Sequence, residues 1–265
     1  MSNILEKIVS EKIENIQNYK KKFSIKSLED IISSYKNYLN FKKKLNEDKV
    51  SIIAEIKKSS PSAGLIVKEF DPKKIAREFF NGGASCLSIL TEEKYFHGKL
   101  EYIHEIKKEI KLPVLCKDFF IDPFQVYLAK SYGADSILII LSAIDNILAK
   151  EIYALANELN MSTIVEVHDK KEAEYALNFE KAIVGINNRN LKTLETNIST
   201  TYNLYEILSG HPQPIISESG LKSKKEIEEI IEKTKINNFL VGESVLKSPN
   251  IALKLREFTQ ISLEK

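Results

Sequence analysis

Several short apolar runs in this sequence end in side chains able to move a proton or hold an anion. The first is Ala54-Glu55-Ile56-Lys57. Successive side chains of a strand point to opposite faces, so Glu55 and Lys57 share one face and Ala54 and Ile56 the other. Opposite charges on an inward-facing strand end are costly unless they pair or bind something. Taken alone, an ion pair on the surface just past the strand explains this motif equally well. The arrangement recurs, however. Lys117 closes Leu115-Cys116-Lys117, and Glu166 precedes Val167-His168 at the end of another apolar run. Asn187, Asn188 and Arg189 follow Gly185-Ile186, while Glu218, Ser219 and Gly220 follow Ile216-Ser217. Five independent surface accidents at five run ends are much less expected than one shared polar site.

Two lysines and two or three carboxylates in one pocket have a chemical consequence. Each ammonium lowers the pKa of neighbouring carboxylates, while burial pushes every group toward neutrality. Acid and base can then coexist near neutral pH, each contributing roughly 10²–10⁴-fold as proton donor or acceptor. No metal is expected: His97, His104, His168 and His211 lack ligand spacing, and carboxylates facing lysines make poor cages. His168 is expected to orient Glu166 or to begin a helix.

The anion signal lies in glycines. Ser219-Gly220 and Gly242 follow the last two apolar runs, where barrels expose backbone N–H groups to phosphate. Ser60, in Lys58-Ser59-Ser60-Pro61-Ser62-Ala63-Gly64, can add a hydroxyl from the side. Each glycine alone reads as a turn residue; two at this pair of positions favour phosphate. Neither a P-loop nor a strand-coupled Gly-x-Gly-x-x-Gly is present, so nucleotides are not favoured.

The elements that must position these residues are legible as β-branched runs at 51–56, 86–90, 113–117, 136–141, 163–167, 182–186, 214–217 and 238–241. Helical periodicity fills the intervals, as at 72–81, 123–132, 170–178 and 223–232. Strands alternating with helices imply a parallel sheet. A doubly wound sheet also fits that alternation, but eight strands with polar C-terminal ends favour an α/β (β/α)8 TIM barrel. The 265-residue length suits one such barrel, which typically takes ~250 residues.

Residues 1–48 differ from the rest, having neither Gly nor Pro. Ile4, Ile8, Ile13 and Ile16 mark one helix; a second begins at Ser27 with Ile31, Ile32, Tyr35, Tyr38 and Leu39 as its apolar stripe. This N-terminal helical extension either covers one end of the barrel (residues 49–265) or touches the substrate. Net charge is only +2, from 39 basic and 37 acidic residues, which gives no reason to expect nucleic acid. Cys86 and Cys116 read as core residues in a reducing compartment. Neither a signal peptide nor a membrane span is expected, so a cytoplasmic protein is.

The stretches IIAEIKKSSPSAG, LSILTEEKYFHG, PVLCKDFFIDPFQV, IVEVHD, VGINNRNL, ISESGL and FLVGESVL resemble the indole-3-glycerol phosphate synthase family in content, order and spacing from residue 51 to about 250. The resemblance implies an anilino-sugar phosphate substrate, no cofactor, and a monomer or at most a weak homodimer. It implies that Lys117 protonates the substrate carbonyl oxygen and that Glu166 supports charge on the ring nitrogen and takes part in proton removal. Glu55 and Lys57 resemble the pair that holds the substrate and assists dehydration. Asn187, Arg189, Glu218 and Ser219 resemble positioning groups. Ser60, Gly220, Gly242 and the amide of Glu243 look like phosphate contacts, and Leu90, Phe96, Phe119 and Leu138 like apolar walls.

Departures from the family pattern are local. Lys58 stands where arginine is common, His97 where a small amide is usual, and Glu243 where some relatives carry serine. Trp is absent, so an aromatic lid from the N-terminal helices would need Phe23, Tyr35, Tyr38 or Phe41. Two other readings remain for the residues themselves: a Schiff-base aldolase using Lys117 or Lys57 as nucleophile, and a non-catalytic barrel that only binds a sugar phosphate.

Overall fold

The computed structural model describes residues 4–45 and 48–263. Eight parallel strands close into a barrel: β1 (Ser51–Ile56), β2 (Cys86–Leu90), β3 (Val114–Lys117), β4 (Ser136–Ile140), β5 (Ser162–Val167), β6 (Ile183–Asn187), β7 (Ile215–Glu218) and β8 (Asn238–Val241). Each strand pairs with the next, and β8 returns to β1 with Ser51 opposite Asn238. Asn187 and Glu218 are the last residues of β6 and β7, one position beyond the expected strand ends. Ladder hydrogen bonds hold the backbone at both positions.

Helices follow the strands and cover the outside. Several of them start at a side-chain cap. Asp71 accepts from the first turn of α3 (Pro72–Asn81), whose Pro72 suits a position that needs no N–H donor. Ser223 and Glu226 form a reciprocal capping box on α9 (Lys224–Thr234). Between them along the chain lie α4 (Glu101–Lys107), α5 (Phe124–Ser131), α6 (Asn146–Glu158), α7 (Lys170–Ala176) and α8 (Ser199–Leu208). A short α10 (Glu243–Leu246) starts one residue after β8, and α11 (Ile251–Thr259) is the last helix of the described residues. No helix among the described residues is long and apolar enough to cross a membrane.

The barrel interior obeys the two-residue period of strands. Ile53, Cys86, Leu115, Leu138, Ile140, Ile164, Ile183, Ile216 and Leu240 form one buried cluster down its axis. Continuing the same parity toward the C-terminal ends brings Glu55, Lys117, Glu166, Asn187, Glu218 and Gly242 to the inward face. Position along a strand and inward parity therefore fix the site together.

The extension begins with α1 (Ile4–Lys22) and α2 (Ile25–Ser34). The buried stripe of α1 is Leu5, Ile8, Lys12 and Ile16; the expected Ile13 is 54% exposed instead. Helix α2 is capped by Ser24, starts before Ser27, and stops at Ser34. Tyr35, Tyr38 and Leu39 therefore lie outside it, in a non-helical strap whose Leu39 N–H donates to Asp135 at 2.6 Å. Phe41 and Leu45 join the interior cluster at the end opposite the C-terminal strand termini, where the Phe41 carbonyl faces Cys86 Sγ at the start of β2. Phe41 is a base plug, not a lid.

Phe41→Ala should leave a cavity at the base and cost about 3–5 kcal/mol of stability. Chemical denaturation should show that loss with an unchanged Michaelis constant. A shifted Michaelis constant at full stability would contradict its placement.

Candidate active site

The C-terminal ends of the strands surround a cavity of about 780 Å³, within the range of small-molecule sites. Its centre is Lys117. The ammonium lies 2.6 Å from Glu218 Oε2 and 3.7 Å from both Glu55 Oε2 and Glu166 Oε2. Lys57 pairs with the other oxygen of Glu55. Lys117 and three carboxylates from β1, β3, β5 and β7 thus converge with Lys57, the residue directly after β1, as inward parity requires.

Burial opposes charge on each of these groups, and their neighbours decide the outcome. For Lys117, burial lowers the pKa, but Glu218, Glu55 and Glu166 outweigh it and hold the ammonium protonated well above the ordinary lysine range. For Glu55, burial is overcome by Lys57 and Lys117, which keep the carboxylate ionised. Glu166 is also pushed up by burial, but His168, Lys117 and Asn187 bring it down to about 2. Glu218 is the exception. Burial dominates over Lys117, and repulsion from Glu166 and Glu55 adds to it, raising the carboxyl to about 7.

His168 bridges two carboxylates. Its Nε2 lies 3.1 Å from Glu166 Oε1, off the line of an ideal hydrogen bond, and its Nδ1 lies 3.0 Å from Glu172 Oε2. Burial disfavours the imidazolium, yet the two carboxylates raise its pKa to about 10. It does not start α7; Asp169 caps that helix. Of the two roles expected for His168, contact with Glu166 is the one the geometry provides.

Two glycines make room for the cluster. A Cβ on Gly185 would sit 2.4 Å from Glu218 Oε1, and one on Gly242 would sit 2.8 Å from Glu55 Oε1. Gly242 lines the cavity, but close packing against Glu55 already requires a glycine there.

One end of the cavity is apolar. Leu90, Phe96, Phe119, Leu138 and Ile140 form its walls, with the rings of Phe96 and Phe119 6.4 Å apart. Its roof comes from Ile4, Leu5 and Ile8 of α1, so the lid is aliphatic; none of Phe23, Tyr35, Tyr38 and Phe41 lines it. The other end is polar: Ser60, Arg189, Ser219, Gly220, Gly242 and Glu243 line it. Glu243 is paired with Lys247 at 2.6 Å, and that charge keeps its carboxylate ionised against partial burial. Arg189 Nη1 donates to the Leu194 carbonyl, and its backbone N–H donates to Asn187 Oδ1.

Of the residues expected to act on, position, bind or wall the substrate, Glu218 alone does not line the cavity. It is 1% exposed, lies beneath the floor, and reaches the site only through Lys117. Sequence reasoning missed Lys12 and Asp118. Lys12, 5% exposed on α1, pairs with Asp118 at 2.6 Å, while Asp118 also accepts from Thr91 and from the Phe119 N–H. A lysine in register with Ile8 and Ile16 was the available signal. Among the described residues no group of three or more His, Cys, Asp or Glu side chains is arranged to hold a metal ion.

Fold and site together define a (β/α)8 barrel with a buried acid–base cluster between an apolar and a polar end. A profile of indole-3-glycerol phosphate synthases matches residues 5–258. Indole-3-glycerol phosphate synthase of Endomicrobium trichonymphae is 40% identical over 96% of this chain and 98% of its own length. That of Neisseria meningitidis is 37% identical over 95% and 97%. The 3-hexulose-6-phosphate synthase structure from Salmonella typhimurium superposes with a TM-score of 0.65 over 79% of this chain and 97% of its own; at 12% identity, that likeness concerns the fold alone. This chain belongs to the indole-3-glycerol phosphate synthase family, carboxy-lyases of tryptophan biosynthesis that catalyse decarboxylative ring closure.

The raised pKa of Glu218 predicts a pH signature. The folded state keeps a proton that the unfolded chain releases, so the stabilising contribution is complete below the ordinary value of 4.5 and is lost as pH rises through about 7. Glu218→Gln removes this titration. Urea unfolding should show wild type losing stability relative to the variant between pH 4.5 and 7, then running parallel. A gap that does not change with pH would contradict the assignment.

Proposed function

We propose that the cluster around Lys117 carries out the family reaction on 1-(2-carboxyphenylamino)-1-deoxyribulose 5-phosphate, giving indole-3-glycerol phosphate, carbon dioxide and water. The observation that supports this most is the position of Lys117, an ammonium facing the cavity among three carboxylates. The substrate's aromatic ring takes the apolar end beneath α1, between Phe96, Phe119, Leu90 and Leu138. Its phosphate takes the polar end at Ser60, Gly220, Gly242 and the Glu243 amide. Binding both ends brings the ring carbon that bears the carboxylate near the carbonyl carbon.

A carbon–carbon bond forms between those atoms while Lys117 donates a proton to the carbonyl oxygen as negative charge develops there. The carboxylate then leaves as carbon dioxide, and its bonding electrons restore the aromatic ring. Finally the new hydroxyl departs as water while a proton is taken from the methylene carbon beside nitrogen. Glu166, ionised and held by His168, supports the positive charge on nitrogen and takes part in removing the proton. Glu55 and Lys57 hold the substrate and assist loss of water; Asn187, Arg189 and Ser219 orient its carboxylate and hydroxyls. Glu218 acts from below by fixing Lys117.

A lysine held protonated by three carboxylates is poorly suited to Schiff-base attack, which needs the free amine. Lys117→Met should lower kcat by roughly 10²-fold or more with little change in the Michaelis constant, and should also lower the melting temperature because three buried carboxylates lose their shared counter-charge. The measurement is indole fluorescence on addition of the anilino-ribulose phosphate. Near-wild-type turnover would overturn the role given to Lys117.

A further inference from the structure

Ser219 occupies the left-handed region at φ +70, and Gly220 follows at φ +80. Glycine adopts that region freely, whereas serine does so only when its surroundings hold it there. The holding contacts come from behind the barrel wall. Asn188, 1% exposed, faces away from the cavity, one position after the inward-facing Asn187. Its Nδ2 donates to the Ser219 carbonyl at 3.1 Å and to Ser217 Oγ at 3.2 Å. Its Oδ1 accepts from the N–H and the hydroxyl of Thr201 at 3.1 and 2.8 Å. Thr201 and Ser217 are fully buried, and their hydroxyls lie 2.7 Å apart. The Asn188 backbone N–H donates to the Glu218 carbonyl as well.

All four hydrogen-bonding positions of the Asn188 amide are thus used in a buried knot that ties β6, β7 and α8 together. The amide cannot turn without leaving several buried groups unpaired. We propose that Asn188 is a positioning residue: it holds the strained Ser219 in the conformation that presents the Ser219–Gly220 turn to the substrate phosphate. This rests on the phosphate reading of that turn given above.

The test uses the full chain with Asn188→Ala, Ser219→Gly and the double variant. Turnover is measured alongside competitive inhibition by inorganic phosphate. Asn188→Ala should raise both the Michaelis constant and the phosphate inhibition constant about tenfold, as loss of one well-placed anion contact does, with kcat changed less than about threefold. In the Ser219→Gly background the same substitution should change both constants by less than about twofold, because glycine needs no holding. Asn188→Ser, which loses the amide donor but keeps a polar group in the knot, replaces Asn188→Ala if that variant fails to fold.

A merely structural Asn188 would lower the melting temperature and leave both constants unchanged, which overturns the proposal. An equal loss in the wild-type and Ser219→Gly backgrounds overturns it too. If phosphate does not compete with substrate in the wild-type chain, the phosphate reading of the turn itself fails, and the role given to Asn188 falls with it.

Discussion

One buried ammonium organises the mouth of this barrel. Lys117 is the counter-charge for three carboxylates that would repel one another without it. Removing one partner from a buried charge pair typically costs ~3–5 kcal/mol because the other is left uncompensated. Here the deficit is shared unequally. Lys57 helps neutralise Glu55, and His168 helps neutralise Glu166. Glu218 has only Lys117, which other carboxylates also claim, and it is the carboxyl whose pKa rises. One composition thus yields ionised and proton-bearing carboxyls a few ångströms apart, separated by how many cations each one faces.

That packing demands space, which strand parity and glycine supply together. The inward-facing positions that flank Glu218 and Glu55 are Gly185 in β6 and Gly242, the residue directly after β8. Any side chain there would collide with a carboxylate oxygen. The cluster is therefore specified by absent atoms as well as by charged groups, and substitution of either glycine strains the charges before it affects the cavity.

Much of this was legible in sequence because strands carry a rigid period of two. Once the eight runs are recognised, Glu55, Lys117, Glu166 and Asn187 must face inward, and a closed barrel brings them together. The depth of Glu218 was not legible: parity gives its direction, but only the neighbouring Gly185 and Lys117 put it under the floor. The N-terminal region was read less well because a helix stripe tolerates drift. Ile13 fitted the apolar spacing yet faces solvent, while Lys12 is buried because Asp118 awaits it across the chain. Partners distant in sequence leave no local period. The same limit hid the end of α2, where Tyr35 to Leu39 leave the helix to bond with groups at the barrel base.

The charged cluster and the rest of the cavity wall are mounted on different supports. Lys117 and the three carboxylates belong to strands, where ladder hydrogen bonds restrict motion, and Lys57 directly follows β1. The aromatic walls and the polar turn belong to loops, and buried side chains beyond the charged cluster fix them. Lys12 and Asp118 brace the segment that carries Phe119, and Glu92 accepts from the N–H groups of Tyr95 and Phe96 to set the adjoining wall. Because α1 supplies both Lys12 and the roof residues Ile4, Leu5 and Ile8, the helix that closes the apolar end also braces its wall. Undocking of the extension would therefore open the apolar end and release its wall in one step.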